Sequence, residues 1–464
     1  MAKYQQLGEQ IIQAIEQGRI KPGTKMPSIL KFKDQHQVSK TTALNCYHWL
    51  EEQGWLQARP QSGFFAAQPW QDLPTPEFPQ FEAKATEVKT DKFKAPFDLA
   101  KRDSPFYASQ LAPELTPVDQ LNRCYRRANS GPTNPLNLYP GLQGDEGLIA
   151  ALSRHISEHY FPVQENLVIT NGCIDGVHTA IEVTTKPGDT VAITSPCFNG
   201  LLQVLKGSSR KVMEIPSLNN QLDLAQLTDQ VKEGNVQACL LSSNHINPQG
   251  TSLPVEQKQK LAQMAKHYKV PIIEDDVFLE MSFHHHPLPI KHFDDQGWVL
   301  WCSSVSKTLS PAFRIGWCEP GRFFQTYLER RQVQVYGVAQ PMQNMLREFI
   351  REGHYLKHLK KLRLTLAQQV KAYSQLLRAQ LPASARVSQA EGGFVVWVQL
   401  PGLNCRKLFD LASAEGIYFR PGHEFSSRKL YRDCFRINAG WPLEQRKQEL
   451  LRLCQLAKDA VQKT

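Results

Sequence analysis

The chain has 464 residues, 41% hydrophobic and 21% charged, which is too long for one ordinary domain, fits a soluble globular protein and excludes disorder beyond local stretches. Its formal net charge of +10 and pI near 9.0 favour an acidic partner such as nucleic acid, but residues 1–68 hold only eight Lys/Arg against five Asp/Glu, so the excess is spread along the chain. Ten cysteines stand singly without a CxxC pair, the opening MAKYQQLGEQ lacks the pattern of a secretion signal, and no apolar run approaches the roughly 20 residues that span a bilayer, which together predict a reducing cytoplasm.

From Tyr4 to Gln17 the apolar residues Tyr4, Leu7, Ile11 and Ile15 recur at helical spacing, and GRIKPG stops the helix. Pro27 and Ser28 open a second short helix, SILKFKDQH. Val38 and Ser39 turn into a third, with Ser39 as its N-cap, running to about Gln53 and ending at Gly54. WLQARPQSGFFAA then reads as two short strands around a turn. Three helices and a hairpin in residues 1–68 predict a winged helix-turn-helix, its third helix in a major groove and its hairpin on the DNA backbone. Ala43, Cys46, Tyr47 and Leu50 form the inward stripe, which leaves Lys40, Thr41, Asn45 and His48 facing outward. Ser28, Ser39, Arg59, Ser62 and Gly63 complete the candidate DNA contacts.

Residues 69–95 carry several prolines, alternating charges and little apolar periodicity, which predicts a linker packed into neither neighbour. From residue 96 to 464 the β-branched runs LVIT, TVAIT, QACLLSS, VPIIEDD and GWVLWCSS alternate with helical segments. This is the pattern of an α/β domain with a mostly parallel central sheet covered on both faces.

Lys307 is the candidate for covalent chemistry, since a desolvated amine condenses with an aldehyde to a Schiff base; a surface-loop lysine is the bland alternative. Ser304, Ser306 and Arg314 suit a phosphate dianion, and NGCIDG at 171–176 opens a helix whose amides at Cys173 and Ile174 would point at the same anion. Asp275 ends a predicted strand, where a carboxylate could hold a pyridine nitrogen protonated; a metal site or a solvated acidic turn are the alternatives. Asn247 in NPQG could donate to a phenolate oxygen, although Asn-Pro is also a common turn former. Arg436 in CFRINAGW could capture a carboxylate, or serve as a structural ion pair.

In this order these residues resemble fold-type I pyridoxal-phosphate enzymes of the aspartate aminotransferase superfamily, over nearly all of residues 100–460. PGTKMPS, VSKTT, CYHWLEEQGWL and RPQSGFF resemble the GntR-type winged helix, so the whole chain is identified as a member of the MocR subfamily of transcription regulators. The resemblance implies Lys307 as the internal-aldimine lysine, Asp275 on the ring nitrogen, Asn247 on the ring hydroxyl oxygen, and Ser304, Ser306, Arg314 and the amides of Cys173 and Ile174 around the phosphate of pyridoxal 5'-phosphate. Phe198 would stack on the ring, and Tyr139 would reach the phosphate of the neighbouring subunit in a homodimer. Three departures stand out: Phe278 replaces a tyrosine, Ile149 an arginine, and Leu30 an arginine beside the DNA backbone, with Lys31 and Lys33 as candidate substitutes. His284 to His286 are expected at a loop tip rather than around a metal, and Cys173, Cys197 and Cys302 as buried small residues.

The resulting expectation is a cytoplasmic, homodimeric, DNA-binding regulator. An amino acid or amine would displace Lys307 from the cofactor and place its carboxylate on Arg436. The rivals are an active aminotransferase and a regulator that responds to pyridoxal phosphate itself.

Overall fold

The computed structural model describes residues 3–462 apart from 18, 22, 53–54, 60–61, 68–73, 89–103, 131–137, 164–165, 219–220 and 284–285. It divides into two compact units, Met1–Pro74 and Thr75–Thr464.

In the first unit α1 (Lys3–Glu16), α2 (Ile29–His36) and α3 (Lys40–Glu52) are followed by an antiparallel hairpin of β1 (Leu56–Arg59) and β2 (Gly63–Ala66). Ala43, Cys46, Tyr47 and Leu50 are all fully buried, packed with Ile11, Ile15 and Phe32, as their spacing predicts. Ser28 and Ser39 cap α2 and α3: their Oγ atoms accept from the backbone amides of Lys31 at 3.3 Å and Thr42 at 3.0 Å. The Tyr47 hydroxyl donates to the Pro27 carbonyl at 3.0 Å, tying α3 to the start of α2.

The second unit is built on a nine-stranded sheet with the order β3-β6-β5-β8-β9-β10-β11-β4, β7 pairing with β6. Its strands are β3 (Ala85–Thr86), β4 (Val168–Thr170), β5 (Thr190–Ser195), β6 (Lys211–Leu218), β7 (Gln221–Leu222), β8 (Ala238–Leu241), β9 (Ile272–Asp275), β10 (Val299–Ser304) and β11 (Gly316–Glu319). The pairs β6–β5, β5–β8, β8–β9 and β9–β10 are parallel. Their sequences read as unbroken apolar runs because both faces are covered: Leu201, Ile181 and Val177 pack with one face, Leu227, Leu261 and Ala265 with the other. A smaller antiparallel sheet, β12 (Arg386–Val387), β13 (Val395–Gln399), β15 (Cys434–Asn438) and β14 (Arg420–Pro421) in the order β12-β13-β15-β14, carries a separate core with the helices Cys405–Ala414 and Leu443–Gln462.

The predicted linker needs correction. Residues 75–88 belong to the second unit, whereas 69–73 and 89–95 lie outside the described residues. Ala85 and Thr86 pair antiparallel with Met213 and Val212 at the edge of the large sheet, and Ala83 and Val88 are buried in the cores on its two faces. Upstream, the Glu77 amide donates to Gln399 Oε1 at 2.7 Å and Glu77 pairs with Arg386, so the same strap also grips the small sheet. Two paired residues and two isolated apolar side chains are too sparse a pattern to emerge from a proline-rich, charged stretch.

Candidate functional site

Phe198, Asn247, Asp275, Ser304, Ser306 and Lys307 lie at or beyond the carboxyl ends of the parallel strands β5, β8, β9 and β10, where open α/β sheets bind ligands. Asp275 is the last residue of β9 and is buried. Strand alternation sends the next carboxylate, Asp276, the other way, where it accepts from Trp301 Nε1 at 3.0 Å and from Asn244 Nδ2. The Cys173 thiol donates to Asp275 Oδ1 at 3.2 Å. Burial raises the Asp275 pKa, opposed by hydrogen bonds from Cys173 and the Val277 amide and by the nearby Lys307 charge.

Lys307 follows β10 in a turn, half-buried, and its Nζ donates to the Ser109 carbonyl at 2.5 Å. Burial lowers its pKa from 10.5 to about 8, helped by Arg436, Arg420 and Arg314 and resisted by Asp275. Arg436, in the middle of β15, is fully buried. Its guanidinium donates to Ser109 Oγ, to the Tyr107 carbonyl, and to Asn247 Oδ1 at 3.4 Å, while its Nε finds no hydrogen-bond acceptor. Burial, followed by Arg420 directly across the strand pair, pushes it down to about 9, so the group stays charged at neutral pH. No carboxylate among the described residues forms an ion pair with it. Arg420 is already matched by Glu424 at 2.8 Å.

A second cluster forms where β10 meets the start of the helix Cys173–Thr184. Ser304 pairs with Gly316, and Gly316 lies so close to the helix start that a Cβ there would stand 2.7 Å from the Cys173 amide nitrogen. Ser304 Oγ accepts from the Ser306 amide at 3.3 Å. Arg314 donates to the Asn171 carbonyl at 2.7 Å, and its guanidinium lies over Gly172, where a Cβ would come within 2.7 Å of Nη2. Gly172 has φ +86°, a backbone conformation that favours glycine. Cys173 and Ile174 form the first turn of this helix, where amides lack intrahelical partners and the macrodipole favours an anion.

Phe198 directly precedes the helix Asn199–Gly207 and is half-buried against the core. Asn247 is buried and donates to Ser109 Oγ at 3.4 Å. Phe278 is buried against Phe394, with ring centroids 5.4 Å apart, and Ile149 packs into an apolar cluster. Tyr139 is not brought to the cluster within one chain: it is 86% exposed, beside Tyr336 at 75%. Sequence reasoning missed Ser109 and Tyr107, which join Lys307, Asn247 and Arg436. They belong to no motif and act partly through main-chain carbonyls, so no residue-type signal marked them. His284 and His285 lie outside the described residues, while His286 stacks on His159 at 5.4 Å. Cys173, Cys197 and Cys302 are buried free thiols, as expected.

In the first unit Lys40, Thr41, Asn45 and His48 are exposed on α3, as is Leu30 on α2. Ser62, in the hairpin turn, and Gly63, which opens β2 at φ +93°, are both exposed. The Arg59 backbone pairs with Gly63, and its side chain lies outside the described residues.

Comparison with known proteins agrees with this division of labour. Residues 115–453 match the family of aminotransferase class I and II, and residues 3–66 match the bacterial regulatory proteins of the gntR family. The chain is 32% identical over 462 residues to the uncharacterized HTH-type transcriptional regulator YdcR of Escherichia coli (strain K12), covering 97% of this chain and 98% of that protein. It is 26% identical to aromatic-amino-acid aminotransferase 1 of Thermococcus litoralis over 76% of this chain and 87% of that one. The crystal structure of a multiple substrate aminotransferase from Thermococcus profundus superposes with a TM-score of 0.74 at 24% identity, covering 81% of this chain and 97% of that one, which shows the shared fold. The chain therefore belongs to the aminotransferase class I and II family and, with its gntR-type N-terminal unit, is a transcription regulator of the MocR-like architecture.

Proposed function

We propose that the second unit binds pyridoxal 5'-phosphate through Lys307 and that an amino acid or amine, by taking the place of the lysine, alters how the first unit binds DNA. The observation that carries this reading is Arg436: a fully buried guanidinium with no ion-pair partner among the described residues, its Nη1 sharing Ser109 with Asn247 and with the Lys307 amine. A buried cation of this kind is costly unless an anion completes it, and a substrate carboxylate matches its planar fork.

The other residues suit the cofactor. Asp275 is a desolvated carboxylate that a protonated ring nitrogen would keep charged. Gly172, Ser304, Ser306, Arg314 and the amides of Cys173 and Ile174 would together form the cradle for the cofactor's phosphate. Phe198 offers an aromatic face. Bound pyridoxal phosphate supplies an electrophilic carbon and an electron-accepting ring. Lys307, its amine pulled down to about 8, is neutral often enough near physiological pH to act as a nucleophile. Phe278 removes the hydroxyl that many relatives place on the ring oxygen, leaving Asn247 as the candidate donor there.

Exposed Leu138, Tyr139, Val333 and Tyr336 support a homodimer, in which the neighbouring chain would receive Tyr139. Two winged helices per dimer would read paired half-sites. The response would leave the effector unit through residues 75–88, because this strap is held at once by the large sheet, the small sheet and Arg428. Arg428 lies 4.4 Å over Phe81 and donates to the Glu82 carbonyl at 3.3 Å.

The experiment is an absorbance spectrum of wild type and Lys307→Ala with added pyridoxal phosphate, followed by a panel of amino acids and amines and by DNA binding under the same conditions. A near-ultraviolet or visible band that the variant shifts or lacks, and a ligand that changes both the band and DNA affinity, support the reading. No band in wild type sinks it. Sustained conversion of amino acid plus keto acid, with DNA affinity unmoved, would establish the aminotransferase instead.

A further inference from the structure

A second cluster of side chains lies away from the sheet. The helix Val118–Asn129 carries Cys124, almost completely buried. Across from it the helix Gln340–Arg351 ends at Glu352, Gly353 reverses the chain at φ +71°, and His354 opens the helix His354–Gln380. The Cys124 Sγ lies 3.9 Å from Glu352 Oε2, and His354 Nε2 lies 3.2 Å from the same oxygen. One donor atom from each residue falls within 4.8 Å of the others, at the wall of a 320 Å³ cavity lined also by Gln120, Arg123 and Arg127.

Arg127 pairs with the other carboxylate oxygen, Oε1. The two helices pack through an apolar core that includes Cys124, and the thiol and the His354 imidazole converge on the remaining oxygen, Oε2. We propose that Cys124, Glu352 and His354 form a binding site for a divalent transition-metal ion of the zinc class, with water from the cavity in the fourth position.

The chemistry favours this class on three counts. Sulfur, nitrogen and one carboxylate oxygen are the donors zinc takes, whereas magnesium and calcium require oxygen shells. Metal–ligand bonds of about 2.0–2.3 Å in a tetrahedron put donor atoms roughly 3.3–3.7 Å apart, and the two spacings above bracket that range. A thiolate and a carboxylate together neutralise a divalent ion, and the histidine adds a neutral ligand. Arg127, holding Oε1, fixes the carboxylate so that Oε2 is presented.

The test uses the full chain purified without a polyhistidine tag and stripped with a chelator. Cobalt(II) is titrated in, and the difference spectrum, which cancels any cofactor absorbance, is followed. The expected result is saturable binding with a thiolate-to-cobalt charge-transfer band and visible tetrahedral bands, all displaced by zinc. Cys124→Ser should abolish the charge-transfer band and weaken binding by more than the roughly 100-fold that losing a merely supporting group can cost. His354→Gln, at a partly exposed position, should weaken binding at least about tenfold, and it decides the matter if the buried Cys124 variant fails to fold. A wild-type protein without the charge-transfer band, or variants that keep it at unchanged affinity, would overturn the proposal.

Discussion

Replacing Lys307 by methionine should make the cofactor-free protein more stable near neutral pH. Burial first and Arg436 second hold the Lys307 pKa at about 8 rather than 10.5, which at about 1.4 kcal/mol per pH unit amounts to about 3 kcal/mol against the folded state while the amine is charged. The hydrogen bond to the Ser109 carbonyl at 2.5 Å returns about 1 kcal/mol, leaving a net gain for the variant of about 2 kcal/mol. The pH dependence has a defined sign. Because the folded pKa lies below the unfolded one, the unfolded chain binds more protons between about 8 and 10.5, and wild-type stability rises with pH across that window. The penalty is complete below it and absent above it. Urea unfolding followed through the fluorescence of Trp301, Trp317 and Trp397, which are all buried in the second unit, should give a wild-type midpoint that climbs between pH 8 and 10. The Lys307→Met midpoint should start higher and climb less. A variant no more stable than wild type at pH 7, with a parallel pH profile, would refute the argument that this lysine is held in a site that disfavours its charge.

Arg436→Met should cost an amino acid about 3 kcal/mol, roughly two orders of magnitude in affinity by spectral titration, because two charge-assisted hydrogen bonds are lost; an amine without a carboxylate should bind as well as before or better. Glu214→Gln should destabilise the second unit by about 2 kcal/mol in urea unfolding: the carboxylate, buried in β6, accepts from the Ser195, Ser426 and Ser427 hydroxyls and from the Ser427 and Arg428 amides, and the amide keeps only the uncharged share of those bonds. On DNA, Lys40→Ala should weaken binding evenly across sequences and reduce the salt slope by about 1, whereas Asn45→Ala should relax sequence preference with the slope unchanged; competition titrations at several salt concentrations separate the two.

Much of the fold was legible because its signals are periodic. The buried stripe Ala43, Cys46, Tyr47, Leu50 follows from helical spacing, and β5, β8, β9 and β10 announce themselves as apolar runs because both of their faces are covered. The residues that the structure draws together were legible where one residue type suggests one chemistry: the lysine, the strand-end aspartate, the serines and arginine beside a glycine-led helix start. What stayed hidden depends on geometry between distant segments. Ser109 joins Lys307 and Arg436 from 198 and 327 residues away, and part of that link is a backbone carbonyl that any residue could supply. Cys124 and Glu352, 228 residues apart, share no local pattern either.

The misread strap has the largest consequence for mechanism. A free linker would transmit little beyond proximity, because a flexible chain averages over orientations. Residues 75–88 are instead an edge strand and a clamp, and the clamp shares its parts with the site. Glu214 holds the loop 426–428, Arg428 of that loop holds Phe81 and Glu82, and the Phe425 carbonyl accepts from the Cys197 amide at 2.9 Å, one residue before Phe198. On the other side, Arg420, opposite Arg436 in the strand pair, is bound to Glu424 in the turn that leads into the same loop. An occupant of the site can bias the strap only if it prefers one arrangement of this loop over another. Under the proposed function, these contacts would put the discriminating element at 422–428 rather than at Lys307. Under the proposed function, Glu214→Gln should leave the ligand's spectral signature in place while weakening its effect on DNA binding, whereas Lys307→Ala should remove both.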